Sequence, residues 1–493
     1  MRIAISYPPL ESDKGTPLLS QNRQFQWFKN PTYIYPVVPA QAATLLKEHG
    51  YEVLWDDGIA AEKRYGRWLA DLERAGPDLV ALETKTPVVK RHWRIIDDIK
   101  SRLPRAKVAL LGDHVTALPQ ESLQNSRADF VLTGGDYDFL LLSLCQYLSG
   151  RAERLEPGIW HRQNGAITSS GPFELGHDLD SLPFIDRELS GWRLYSEKNG
   201  NFKRTPGTYI MAGRDCWHHR CTFCAWTTLY PGYRTRSPEN VLDEIGALVE
   251  RYGVREIMDD SGTFPVGEWL RSFCRGMVER GYHRRVTLDC NMRFGVLSFE
   301  DYRLMKQAGF RLLLFGLESA NRETLERVGK DLTPQQIVES CRSARRARLY
   351  PHVTIMFGYP WETYEDALKT LEMGGELLKK GHAYTVQATV VIPYPGTPLF
   401  EECRRNGWLR TTDWERYDMK EPVMATPMEP AQVMALVQGI YRVAFEPQFL
   451  LRKLASIRDW DDVRYFARAG LKVGGHLLDF RPGGHSSRGS WGE

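Results

Sequence analysis

The sequence predicts an α/β protein made of two consecutive strand–helix series and a helix-rich C-terminal region. Three observations predict it. At 493 residues the chain is too long for one ordinary core and calls for two or three domains. Apolar runs of strand length alternate with stretches of helix length, first to about residue 145 and again from about 207 to 395. Beyond about residue 400 the composition shifts to helix formers and aromatics. The apolar share, 42%, is that of a packed interior.

In the first series RIAISYPP is a strand running into a loop, and VPAQAATLLKEHG is a helix stopped by Gly50. YEVLWDDG, DLVALET and KVALLGD read as strands, with RYGRWLADLERAG and WRIIDDIKSRLP as the helices between them. ADFVLTGG and the helix FLLLSLCQYLSG complete a first domain over 1–150. Such alternation needs right-handed crossovers and hence a parallel sheet, whose ligands gather at the strand C-termini. Those ends carry Pro8 and Pro9, Glu83 to Thr86, Gly112 to His114, and Gly134 with Gly135.

Residues 151–205 read as a polar connector with turn signals at Gly158, Gly165 and Gly171. The second series, placed at 206–400, has the strands GTYIMAG, REIMDD, RVTLDCN, RLLLFGLE, HVTIMFGYP and TVQATVVIP. Between them lie helices such as PENVLDEIGALVERYG, EDYRLMKQAG and PQQIVESCRSARRARL. Six β/α units predict a partial TIM-like barrel with its site at the strand C-termini. A mainly helical region is expected over 401–480, and a Gly/Ser-rich tail over 481–493 is expected to be disordered.

The totals exclude some functions. A formal charge of +3, from 65 basic and 62 acidic residues, argues against a surface built for nucleic acid. The basic run CRSARRAR, 342–349, reads as the solvated face of a barrel helix. The opening MRIAISYPPLES has no signal-peptide pattern, and no apolar run is long enough to cross a bilayer. The expected location is cytoplasmic. The basic and aromatic C-terminal helices leave a peripheral membrane contact open.

Eight cysteines in a chain of this size do not suggest a disulfide framework. Five are scattered and read as small buried apolar residues, but Cys216, Cys221 and Cys224 fall within nine residues, in RDCWHHRCTFCAW. This loop follows the first barrel strand directly. Three thiolates can hold three irons of a [4Fe-4S] cluster and leave the fourth iron open to a small chelator. A structural zinc site is the competing reading, with His218 or His219 as a fourth ligand.

The segment resembles the radical SAM family, which implies S-adenosylmethionine (SAM) as the chelator and its reductive cleavage to a 5′-deoxyadenosyl radical. An electron donor such as flavodoxin or ferredoxin is implied with it. Phe223 stands where the family has an aromatic against the adenine. The first gap departs from the common pattern, with four residues instead of three between Cys216 and Cys221. The resemblance implies SAM contacts at successive strand ends: Asp260 within DDSGTF, Asn291 and Arg293, Glu318 and Ser319, and Gly358. IPYPGT, Pro393 to Thr397, ends the sixth strand.

Over almost its whole length the chain is similar to the B12-binding radical SAM family, through VVPAQAATLLKEHGYEV, LLGDHVTALP, ADFVLTGG and DLDSLPFIDREL. That resemblance implies a Rossmann-like N-terminal domain holding cobalamin, with Gly112, Gly134 and Gly135 at its edge. The motif Asp-x-His-x-x-Gly is absent, and His114 reads as a polar loop residue instead of a cobalt ligand. The family's Gly-Glu-Gly-Glu segment stands here as Gly134, Gly135, Asp136 and Tyr137. DCWHHRCTFCAWTTLYPGYRTRSPENV and YRVAFEPQFLLRKLASIRDWDDVRYFARAG resemble the hopanoid-biosynthesis branch, which implies a lipid-like small-molecule substrate. Two alternatives stand beside it: an anaerobic oxidative cyclase acting on a tetrapyrrole, and a non-catalytic iron–sulfur or zinc protein binding RNA.

Overall fold

The computed structural model describes residues 1–19, 25–199, 202–443, 447–454 and 456–479; the expected tail at 481–493 lies outside them. The first sheet is built on β1 (Arg2–Tyr7), β2 (Glu52–Asp57), β3 (Leu79–Glu83), β4 (Lys107–Leu111) and β5 (Phe130–Leu132). They run parallel in the order β2-β1-β3-β4-β5. The order reverses between β1 and β3, so the crevice of a doubly wound sheet opens at the ends of those two strands. The central strands are buried on both faces, which is why they read as continuous apolar runs. The flanking helices show one apolar face each; Trp68, Leu69 and Leu72 point inward from Tyr65–Ala75, which ends on left-handed Gly76.

The expected domain boundary at 150 needs correction. Two further strands, β6 (Ile159–Gln163) and β7 (Ala166–Ser169), add antiparallel to β5 and extend this sheet into the connector. Asn164 and Gly165 join them with φ values of 51° and 80°, the two positive angles of a tight hairpin turn.

The second sheet holds β8 (Gly207–Ile210), β9 (Glu256–Asp259), β10 (Thr287–Met292), β11 (Phe310–Glu318), β12 (Tyr350–Phe357) and β13 (Thr385–Val390). All are parallel and pair in sequence order, with β8 and β13 at the two edges: an open barrel of six β/α units. Ser298 with Asp301, Thr333 with Gln336, and Thr363 with Asp366 form capping boxes that fix where three of its helices begin. At the floor, Arg311 donates to Glu256 (2.7 Å) and Asp289 (2.5 Å), and Tyr465 of the helix Trp460–Asp479 covers this group. The opposite end, at the strand C-termini, carries the loops that follow the strands. Helix Pro430–Arg442 packs its apolar face on β12 and β13. Among the described residues no helix is long and apolar enough to cross a membrane.

Candidate functional site

The three-cysteine loop leaves β8 at its C-terminal end and is closed at its neck by a short antiparallel pair, Gly213–Arg214 with Arg234–Thr235. All three cysteines are free and half-buried. The loop is pinned from several sides. Thr222 donates its N–H to Val328 O (3.1 Å), and Leu399 donates to Thr222 O (2.9 Å). Gly262, after β9, lies so close that an added Cβ would stand 2.8 Å from the Asp215 carbonyl and the Cys216 nitrogen. Gly329 has φ +72° and brings the turn after helix Arg322–Arg327 against the Arg220 carbonyl. The thiol of Cys216 meets Thr263 Oγ1 at 2.9 Å.

Each histidine of the loop has one ring nitrogen engaged by the protein. His218 Nε2 donates to Gly329 O at 2.6 Å, and His219 pairs with Asp215 within the loop. Burial pushes the Cys221 thiol up, while the nearby Lys330 and Arg293 cations work the other way. Lys330 is buried, ion-paired with Glu318 (2.9 Å), and donates to Gly316 O (3.1 Å). Burial disfavours its charge, but the Glu318 carboxylate and the Cys221 thiolate outweigh it and hold Lys330 above the ordinary lysine value. Nothing in the sequence singled Lys330 out, since a lysine after a helix end is ordinarily a surface residue.

Glu318 ends β11 with φ +64°, in a left-handed conformation uncommon for a residue with a side chain, beside a register shift between Gly316 and Glu318. Ser319 donates to Glu362 Oε1 (2.6 Å). Asn291 donates to Ser261 O (3.0 Å), so it braces the neighbouring loop. Arg293 is buried, donating through Nη2 to Lys330 O and to Asp331 O; its Nη1 has no hydrogen-bond partner among the described residues. Burial pulls this guanidinium below its usual value, with Cys221 and Cys216 among the groups that oppose the shift.

The end of β9 carries two adjacent acids, Asp259 and Asp260, with different partners. Asp260 is half-buried and donates its N–H to Ile210 O (2.8 Å). Asp259 accepts from Ala212 N (2.6 Å) and Ser261 N (3.0 Å), and Ser261 Oγ accepts from Gly213 N (2.9 Å). Burial pushes Asp259 up to about 6. Phe223 packs on an apolar cluster that includes Val328, Met356, Tyr359 and Val391. Gly358 has φ +98° and follows β12.

In the first domain Gly112, Gly134 and Gly135 are each explained by a close approach. A Cβ at Gly112 would strike Thr84 O, at Gly134 the Phe173 ring, and at Gly135 the Tyr230 ring. His114 is not a loop residue as expected. It lies in the short helix Asp113–Ala117, is fully buried, and has Glu121 (2.9 Å) and Thr86 (3.2 Å) on its two ring nitrogens.

The donor set fits an anionic, thiolate-held cluster with one open position. Three thiols lie on one braced loop, two buried cations stand near Cys221, and Arg293 Nη1 is an unused donor for an anionic group. Among the described residues no three His, Cys, Asp or Glu side chains close on a single-ion position.

Comparison with known proteins supports the same assignment. Residues 212–374 match the radical SAM superfamily. The chain is 26% identical over 422 residues to an uncharacterised methyltransferase of Pyrococcus horikoshii, covering 85% of this chain and 88% of that one. It is 30% identical over 409 residues to the bacteriochlorophyllide d C-8(2)-methyltransferase of Chlorobaculum tepidum, covering 77% and 83%. Its architecture is shared with TsrM, a radical SAM methyltransferase of Kitasatospora setae solved with cobalamin and a [4Fe-4S] cluster bound. That likeness has a TM-score of 0.69 at 16% identity, over 97% of this chain and 100% of that one. Identity of this extent reaches beyond the barrel, and the superfamily match spans the cysteine loop and the four strands that follow it: the chain belongs to the radical SAM superfamily.

Proposed function

We propose that this chain is a cobalamin-dependent radical SAM methyltransferase acting on a small molecule. The observation that carries the reading is the thiol loop itself, braced at the barrel's C-terminal end beside the buried cations Lys330 and Arg293. Cys216, Cys221 and Cys224 would ligate the cluster. When bound, the cluster supplies the electron that cleaves SAM, and cobalamin carries the methyl group. Arg293 Nη1 offers a donor for the SAM carboxylate, and the Lys330–Glu318 pair presents a fixed charge distribution beside Cys221. Ser319, Asp260, Asn291, Phe223 and Gly358 complete the proposed SAM surface at the ends of the barrel strands. Gly112, Gly134 and Gly135 lie at the edge proposed to face the corrinoid. A reductant of the flavodoxin or ferredoxin type would feed the cluster.

Two substrate classes follow from different observations. The segments resembling the hopanoid branch favour a lipid-like polycyclic substrate, reached by peripheral contact with a membrane. The relative at 30% identity, whose name specifies bacteriochlorophyllide d, favours a tetrapyrrole as the molecule methylated. Both classes are flat or extended and apolar, in keeping with the aromatic side chains of 217–233.

The test uses protein purified without oxygen, reconstituted with iron and sulfide, and given SAM, cobalamin and a strong reductant. Hopanoid lipids and magnesium tetrapyrroles are supplied in separate reactions. The native chain is expected to give 5′-deoxyadenosine or S-adenosylhomocysteine and a product heavier by one methyl group with one substrate class. A Cys216→Ala, Cys221→Ala, Cys224→Ala variant is expected to give none. Zinc retained in place of iron, or an unchanged yield from the triple variant, would overturn the reading.

A further inference from the structure

The cysteine loop is anchored from outside the barrel as well as from within it. The two arginines at its neck, Arg214 and Arg234, are cross-strand partners, and both reach into the first domain. Arg214 Nη1 donates to Asp136 Oδ1 and Asp138 Oδ1, each at 2.9 Å, and its Nη2 pairs with Asp138 Oδ2. Arg234 Nη2 donates to the same Asp136 Oδ1 at 2.7 Å. The other Asp136 oxygen faces His177 Nδ1 of the connector at 2.9 Å. Asp136 and Asp138 are fully buried, and Arg214 is 4% exposed. One residue earlier the Tyr230 ring, also from the cysteine loop, covers Gly135 so closely that no Cβ would fit.

Fully desolvated charges have no place in a merely convenient contact. Each must be matched in sign and geometry, and the match fixes the position of both partners. Here Asp136, at the N-terminus of the helix Tyr137–Leu148, and Asp138, in its first turn, meet two arginines that stand directly opposite each other, two residues ahead of Cys216 and ten after Cys224. We infer that Asp136 and Asp138 form a positioning clamp: the turn after β5 of the first domain grips the neck of the cysteine loop and sets where the three thiols stand relative to that domain. The Gly134–Gly135–Asp136 turn thereby acquires a role toward the barrel, docking Tyr230 and the two arginines. The cluster enters this inference only through the function proposed above.

The test is the Asp136→Asn variant of the full chain, compared with Glu256→Gln, which loosens the equally buried ion group at the barrel floor without touching the loop. Amide hydrogen exchange of 215–233 is expected to speed up at least tenfold in Asp136→Asn and to stay native in Glu256→Gln. After reconstitution, Asp136→Asn is expected to hold native amounts of iron yet give a broadened, shifted electron paramagnetic resonance signal for the reduced cluster. Should Asp136→Asn prove too unstable, Arg214→Lys keeps the charge but loses the forked geometry, and the same faster exchange is expected of it. Native exchange in 215–233, equal change in Glu256→Gln, or an unaltered signal would overturn the clamp. Because exchange is read with or without iron, failure of the cluster reading is told apart from failure of the clamp.

Discussion

His177 sits between two carboxylates, Asp136 at 2.9 Å and Glu156 at 2.5 Å, with the Phe139 ring stacked on it at 4.0 Å. Burial disfavours the charged ring, yet the hydrogen bonds to Asp136 and Glu156 outweigh it and raise His177 to about 9. A group whose folded value lies above its unfolded value stabilises the fold fully below the unfolded value, here about 6.5, and loses that contribution as pH rises through about 9. Arg214 and Arg234 face it through Asp136. Thermal melts are therefore expected to fall between pH 6.5 and 9.5 in the native chain and to fall less in His177→Gln. Parallel curves would show that the ring is not charged in the folded protein. At this scale the sequence was uneven. The three cysteines were plain from their spacing, because few other uses put three thiols in nine residues. Lys330, His177 and Asp259 were not, since each acquires its role only from burial beside a partner distant in the chain. Which of the adjacent acids Asp259 and Asp260 turns inward is not legible, because periodicity places a strand's end only to within a residue or two.

Between the elements, the loop after β9 and the cysteine loop touch backbone to backbone at Gly262. Any side chain there must push the Asp215–Cys216 peptide away, and the rigid backbone has little room to give. Gly262→Ala is expected to cost about 1–3 kcal/mol in unfolding free energy, the usual range for overpacking. It is also expected to lower iron bound after reconstitution by more than half, because the displaced residue is a proposed ligand. Iron content equal to native would show that the contact does not hold Cys216 in place. Most elements were legible in the sequence, since their signals are local: apolar runs of strand length alternating with stretches of helix length. The hairpin of β6 and β7 was passed over although Asn164-Gly165 is a strong turn signal, because its strands are short, partly exposed and polar. The two-residue strands at the neck of the cysteine loop carry no periodicity at all, and only the fold brings them together.

Across the whole molecule, the two parallel sheets followed from strand–helix alternation, whereas the crossed strand order of the first and the part played by the C-terminal helices did not. Composition marked 401–480 as helical but could not say what it covers. Helix Pro430–Arg442 buries Val433, Met434, Leu436, Val437, Ile440 and Tyr441, and Val433 reaches Gly358 at the end of β12. At about 1.5–3 kcal/mol for each buried apolar side chain, this one face contributes on the order of 10 kcal/mol. That is comparable with the whole stability of an ordinary domain, about 5–15 kcal/mol. The region also carries Tyr465 and Asp462 to the barrel floor, where Asp462 pairs with Lys203. An open barrel leaves its edge strand and the outer face of its last helices without a neighbour, and the C-terminal helices supply that neighbour. They are therefore part of the barrel's core and not an appended domain. A chain ending at Glu429 is expected to be recovered almost wholly in the insoluble fraction, or to lack a cooperative melt if soluble. A soluble 1–429 chain with a sharp thermal transition would show instead that the six-stranded sheet closes its own core, and that the C-terminal helices serve some other end.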